Sequence, residues 1–104
     1  MNTLKADNSL SQALRLLRVY KDLSQKDLAE KLEISTSYLS ELESAKKDPT
    51  MVIVKKYAEL FNISPSAILF FSEHLNEEKG NDSFAIQKLL LKTLNYFERF
   101  NEKY

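Results

Sequence analysis

The sequence predicts an all-α protein, on three observations. Glycine occurs once, at Gly80, and proline twice, at Pro49 and Pro65, which leaves few helix breakers and few hairpin turns in 104 residues. Apolar residues recur at spacings of three and four along most of the chain. A Ser or Thr stands where each apolar-periodic stretch begins, the place from which a side-chain oxygen satisfies free helical N–H groups.

The elements follow in order. Ser9 with Gln12 three residues on resembles a capping box, and Leu10, Leu14 and Leu17 share a face, so a first helix is predicted over residues 9–21. Ser24 caps a second helix of roughly eight residues, ending near Glu33, with Leu28, Ala29 and Leu32 facing inward. Ile34 pins the turn, Ser35 caps, and Leu39 and Leu42 define a short third helix ending near Ser44. Thr50 opens a fourth helix lined by Ile53, Val54, Tyr57, Ala58 and Phe61, with Asn62 as a left-handed stop. Ser64 and Pro65 are a favoured cap and first residue for a fifth, in which Ile68, Leu69, Phe70 and Phe71 exceed one inward stripe. "NEEKGNDS" reads as a linker, and beyond it Ile86, Leu90, Leu94 and Phe97 form the stripe of a long amphipathic helix. The expected organisation is a domain over residues 1–75, a linker over 76–83 and a C-terminal helix over 84–104.

Composition narrows the functional classes. The length suits one small domain, and 43% hydrophobic with 29% charged residues is the balance of a folding chain, not of a disordered one. No cysteine is present, so disulfides and thiolate metal sites are excluded and a reducing compartment fits. The N-terminus has no apolar signal-peptide core, and the longest apolar run, "AILFF", is far below the ~18 residues that span a bilayer. A cytoplasmic location with no membrane contact is expected. Formal net charge is zero, and the residues before and after Asn76 are balanced separately, so attraction to phosphate has to come from local charge placement. A lone His74 and scattered carboxylates supply no nucleophile and base pair and no metal cluster, so neither an enzyme nor a cofactor is expected.

The spacing in "LSQKDLAEKLEISTSYLSELE" carries more. Two short helices that cross closely need a small residue at Ala29 and apolar residues at Leu28, Leu32, Ile34, Leu39 and Leu42, and all six positions comply. With Ser24-Gln25, Asp48-Pro49-Thr50 and the continuation "KKYAELFNISPSAIL", residues 23–69 resemble the Xre-like helix-turn-helix family, the lambda and 434 repressor and Cro class. The resemblance implies a five-helix repressor-like domain followed by the C-terminal amphipathic helix. It further implies a bacterial or phage-encoded regulator that binds double-stranded DNA with its third helix in the major groove.

Carried over residue by residue, Thr36, Ser37, Ser40 and Glu41 become candidates for reading bases. Hydroxyls donate or accept, and a carboxylate accepts from cytosine. Gln25, Lys26, Ser35, Tyr38, Lys46 and Lys47 become candidates for phosphate contact. Plainer roles stay open beside these: Ser35 as a cap only, Glu41 as solvated surface, Lys46 and Lys47 paired with Glu43. The family resemblance also implies an ion pair between Arg18 and Glu43. Relatives often have glycine at the positions of Asp22, Glu33, Ala45 and Asn62, so either the local backbone differs here or strain is stored at these turns.

One short helix in a groove binds weakly, so this class works as a two-fold dimer on a pseudo-palindrome. Phe70, Phe71, Ile86, Leu90, Leu94 and Phe97 are the candidate dimer interface, the alternative being a C-terminal helix that folds back on its own domain. The rival to a DNA-binding repressor is a protein-interaction module, such as the antitoxin-type partner of a small toxin, with the C-terminal helix as its docking element and DNA binding secondary.

Overall fold

The computed structural model describes residues 8–77 and 83–101, with side chains over residues 8–75 and 85–96. The described residues form six helices and no strand: α1 (Ser9–Tyr20), α2 (Gln25–Leu32), α3 (Thr36–Glu43), α4 (Met51–Phe61), α5 (Pro65–Glu77) and α6 (Ser83–Asn101).

Local chemistry explains most of the boundaries. Ser24 Oγ accepts from the Asp27 backbone N–H at 3.0 Å, Ser35 Oγ from Tyr38 at 3.0 Å, Thr50 Oγ1 from Ile53 at 3.3 Å and Ser64 Oγ from Ala67 at 3.1 Å. Each bond satisfies one of the N–H groups that a helix start leaves free. The first helix differs from the expected capping box. Its N-cap is Asn8, at φ −89° and ψ 9° with no side-chain cap bond, and Ser9 is already the first helical residue. The helix also ends at Tyr20, with Lys21 as its C-cap.

The far ends of α1 to α4 share a device. Asp22, Glu33, Ala45 and Asn62 take φ of 58°, 61°, 65° and 57°, so the chain turns through the left-handed region after each helix without a glycine. The backbone therefore keeps the sharp turn and accepts the strain. At Glu33 this conformation lets the N–H groups of Glu33 and Ile34 return to the carbonyls of Glu30 and Ala29 at 3.1 and 3.0 Å. Lys56 Nζ on α4 donates to the Leu32 carbonyl at 3.2 Å, closing the same end from outside.

The core is a single cluster. Leu10, Ala13, Leu14 and Leu17 of α1 meet Leu28, Ala29 and Leu32 of α2, Leu39 and Leu42 of α3, Ile53, Val54, Tyr57 and Ala58 of α4, and Ile68, Phe71 and Leu75 of α5. Helix α1 packs on α3 and α5, α2 on α3 and α4, and α5 on α4 and α6.

Leu90 of α6 belongs to this cluster, which corrects two of the sequence expectations. Phe71 and Leu90 are 1% and 3% exposed, so they are withdrawn from the candidate dimer interface: this chain already buries them, each with a gain of about 1.5–3 kcal/mol. Thr93 beside Leu90 is also buried, its hydroxyl donating to the Leu89 carbonyl at 2.9 Å. Ile86 and Leu94 are half-buried, whereas Phe70, Leu91 and Tyr96 are exposed. The side chain of Phe97 lies outside the described residues. Helix α5 runs to Glu77 and α6 begins at Ser83, so the expected 76–83 linker is shorter at both ends, and residues 78–82 lie outside the described residues.

Candidate nucleic-acid interface

Helices α2 and α3 are joined by Glu33, Ile34 and Ser35, and the closeness of the pair rests on Ala29, 1% exposed, where a larger side chain has no room. Because α3 repeats every 3.6 residues, burial divides its surface. Leu39, Leu42 and Glu43 point inward, while Thr36, Ser37 and Ser40 are exposed and Tyr38 and Glu41 half-buried. Ser35 is exposed as well as capping, so its hydroxyl is already engaged as an acceptor.

The loop after α3 folds back along it. The backbone N–H groups of Lys46 and Lys47 both donate to the Glu41 carbonyl, at 2.9 and 3.1 Å. Both lysine side chains are exposed, beside the open edge of α3. Lys47 Nζ lies 3.6 Å from Glu41 Oε1 and 5.9 Å from the centroid of the Tyr38 ring. Lys47 thus pairs with Glu41, not with Glu43. With side chains 58% and 40% exposed, the pair is solvated and worth about 1 kcal/mol at most. Lys26 is exposed at the start of α2.

Glu43 is occupied elsewhere. Arg18 Nε donates to its Oε2 at 2.7 Å and Arg18 Nη2 to its Oε1 at 3.0 Å, a forked contact between side chains only 15% and 2% exposed. Arg18 Nη1 donates to the Leu23 carbonyl at 2.8 Å, which ties α1 to the approach to α2. Gln25 Nε2 donates to Glu43 Oε1 at 3.0 Å. This last bond was not foreseeable from spacing, because it joins residue 25 to residue 43 only once the α2 and α3 pair has closed.

Beneath the network lies Tyr57, fully buried, with no hydrogen-bond partner for its hydroxyl among the described residues. Burial pushes its phenol well above the usual tyrosine range; the Glu43 carboxylate adds to the shift and the Arg18 guanidinium opposes it. No sequence signal marks this hydroxyl as unpaired.

Other chemistry is sparse. Among the described residues no group of three or more His, Asp or Glu side chains is placed to hold a metal, and no helix is long and apolar enough to cross a membrane. The imidazole of His74 stacks on Phe70 at 4.0 Å between ring centroids, and its Nδ1 lies 2.9 Å from the Phe70 carbonyl.

Comparison with known proteins agrees with this geometry. The family model described as helix-turn-helix matches residues 14–68, more than half of the 104-residue chain. The chain is also similar to an immunity repressor protein of Bacillus phage phi105, at 26% identity over 95 residues that make up 91% of this chain. It spans 66% of the length of that relative, just under two thirds. No solved structure matches the chain.

Proposed function

Given that the chain belongs to the Xre-like helix-turn-helix family, we propose that it is a DNA-binding transcriptional regulator, a repressor that acts as a homodimer on a pseudo-palindromic operator. The observation that carries this reading is the open edge of α3: Thr36, Ser37, Ser40 and Glu41 stand outward on a helix whose other face is locked into the core. In this reading these four residues meet base edges in the major groove. Gln25 and Lys26 at the start of α2, Ser35 and Tyr38 at the start of α3, and Lys46 and Lys47 behind it hold the flanking phosphates. Occupying the promoter is mechanism enough for repression and calls for no cofactor. The similarity to a phage immunity repressor supports the direction of control, and a cytoplasmic site of action in a bacterial cell follows from the target.

Duplex binding as a function of salt tests the proposal. Log K falls against log salt with a slope of about −0.9 per phosphate neutralised, so a dimer using several lysines gives a steep line. Absence of duplex binding at low salt overturns it.

A second reading keeps the scaffold and makes protein contact primary, as in an antitoxin-type partner of a small toxin. It is favoured by the large apolar side chains that α6 leaves outside, Leu91 at 41% and Tyr96 at 66% exposed.

A further inference from the structure

Gln25 is the first residue of α2, and its side-chain nitrogen donates to the buried carboxylate of Glu43 at 3.0 Å. An ionised carboxylate only accepts, so of the two ends of the Gln25 amide the nitrogen must face it; the reverse orientation sets oxygen against oxygen. The hydrogen bond therefore selects one of two amide orientations that a free glutamine would sample equally.

The amide nitrogen carries two hydrogens held in one plane. One is used on Glu43, whose side chain is 2% exposed, and the other is directed away from that buried carboxylate. Gln25 itself is half-buried and is the first residue of α2, where the backbone N–H groups of Gln25 and Lys26 begin the helix. Arg18 makes the arrangement compatible with an incoming anion. Its two N–H groups on Glu43 match the carboxylate charge, and a phosphate approaching Gln25 meets a donor and a neutralised pair.

We propose that Glu43 is a positioning residue for DNA binding, holding the Gln25 amide so that its second Nε2–H is offered to a backbone phosphate oxygen. The inference rests on the reading of Gln25 as a phosphate contact. It gives Glu43, which lies in the interior and cannot touch DNA, an effect on affinity exerted through another side chain. The same bond keeps the long side chain of Gln25 ordered before DNA arrives, which lessens the freedom lost on binding.

Two measurements on the full chain test it. In the unmodified protein, the two Nε2 protons of Gln25 are followed by NMR during titration with a random-sequence duplex. One is expected to shift strongly while the other, held by Glu43, stays in place. Equal movement of both, or movement of neither while the duplex binds, overturns the proposal. Second, affinity for the same duplex at fixed salt is compared for Gln25→Ala, Glu43→Gln and the double variant. Loss of one hydrogen bond to a charged group gives roughly a tenfold drop for Gln25→Ala. Glu43→Gln is expected to reproduce most of that drop, and the double variant to lose no more than the larger single one. Losses that multiply overturn the proposal and leave Glu43 a purely structural role. The NMR arm reads the unmodified protein, so it decides the matter even if Glu43→Gln fails to fold. If no duplex binds at any salt, the DNA-binding reading itself fails, an outcome distinct from both.

Discussion

Arg18 on α1 and Glu43 at the end of α3 are 25 residues apart in the chain and 2.7 Å apart at Nε and Oε2. The guanidinium fork also reaches the carbonyl of Leu23, so one side chain fixes α1, the approach to α2 and the end of α3 together. Removing one partner of a buried pair leaves the other charged and unmatched, at a cost of about 3–5 kcal/mol. Arg18→Ala is therefore expected to lower the melting temperature sharply and to weaken duplex binding with it. An unchanged melting curve contradicts the brace.

The left-handed turns predict gains. Glu33 and Ala45 hold positive φ that glycine would adopt without a side-chain clash. Glu33→Gly and Ala45→Gly are each expected to add roughly 0.5–1 kcal/mol in urea unfolding, after allowance for the added freedom of glycine in the unfolded chain. The same change at Glu30, exposed in the interior of α2, is expected to cost about 1 kcal/mol. If all three variants lose stability alike, strain is not what these turns contain.

Tyr57 predicts both a stability gain and a pH effect. Its hydroxyl is buried without a partner among the described residues, so Tyr57→Phe is expected to stabilise by about 1 kcal/mol. The phenol's affinity for its proton is higher in the folded chain than in the unfolded one, mainly through burial. Its contribution is thus complete below the ordinary tyrosine value of 10.0 and declines as pH rises above it, because only the unfolded chain then readily loses the proton. Thermal melts between pH 8 and 11 should show that part of the alkaline decline in the parent and not in the Phe variant.

Neighbouring positions of α6 test folding and the proposed homodimer separately. Leu90 is in the core and Leu91 is 41% exposed. Leu90→Ala is expected to cost about 2–5 kcal/mol of stability. If the proposed homodimer, and not another protein, covers the exposed side of α6, Leu91→Glu is expected to leave the melting temperature near its parent value while shifting sedimentation from dimer to monomer. A parent chain that sediments as a monomer at all concentrations removes the homodimer from the proposed function.

The proposed sequence reading by α3 predicts a separation of specific from general affinity. Replacing Thr36, Ser37 and Glu41 together by alanine is expected to flatten the preference among duplexes selected from a random library. Affinity for an arbitrary duplex should stay close to its parent value, since the lysines are untouched. A variant that keeps the parent preference places base reading elsewhere.

What the sequence disclosed depended on the range of the interaction. Ser24, Ser35, Thr50 and Ser64 cap within three residues, so the sequence contains both partners of each bond and the helix starts were legible. Ser9 has the same local pattern without the same role, because Asn8 at φ −89° and ψ 9° already begins the turn. The excess of apolar residues on α5 correctly signalled a second contact but not its occupant. Ile68 and Phe71 enter the core, Phe70 takes His74 at its face, and α6 packs from the same chain. In the candidate interface, helical periodicity was enough to separate outward Thr36, Ser37 and Ser40 from inward Leu39 and Leu42. The hydrogen bond from Gln25 to Glu43 and a Tyr57 hydroxyl without a partner among the described residues exist only after distant helices have met, and no spacing rule reports them.

The burial of Glu43 bears on how the proposed DNA preference is exchanged for another. Glu41 and Glu43 are two residues apart on one short helix, yet the first is beside a solvated lysine and the second is 8% exposed and fixed to Arg18 and Gln25. Grafting a foreign third helix whole would carry away a keystone together with the proposed reading surface. An exchange that rewrites positions 36, 37, 40 and 41 and leaves Leu39, Leu42 and Glu43 in place spares the packed face of α3, so under the proposed reading the scaffold accepts a new address without being rebuilt.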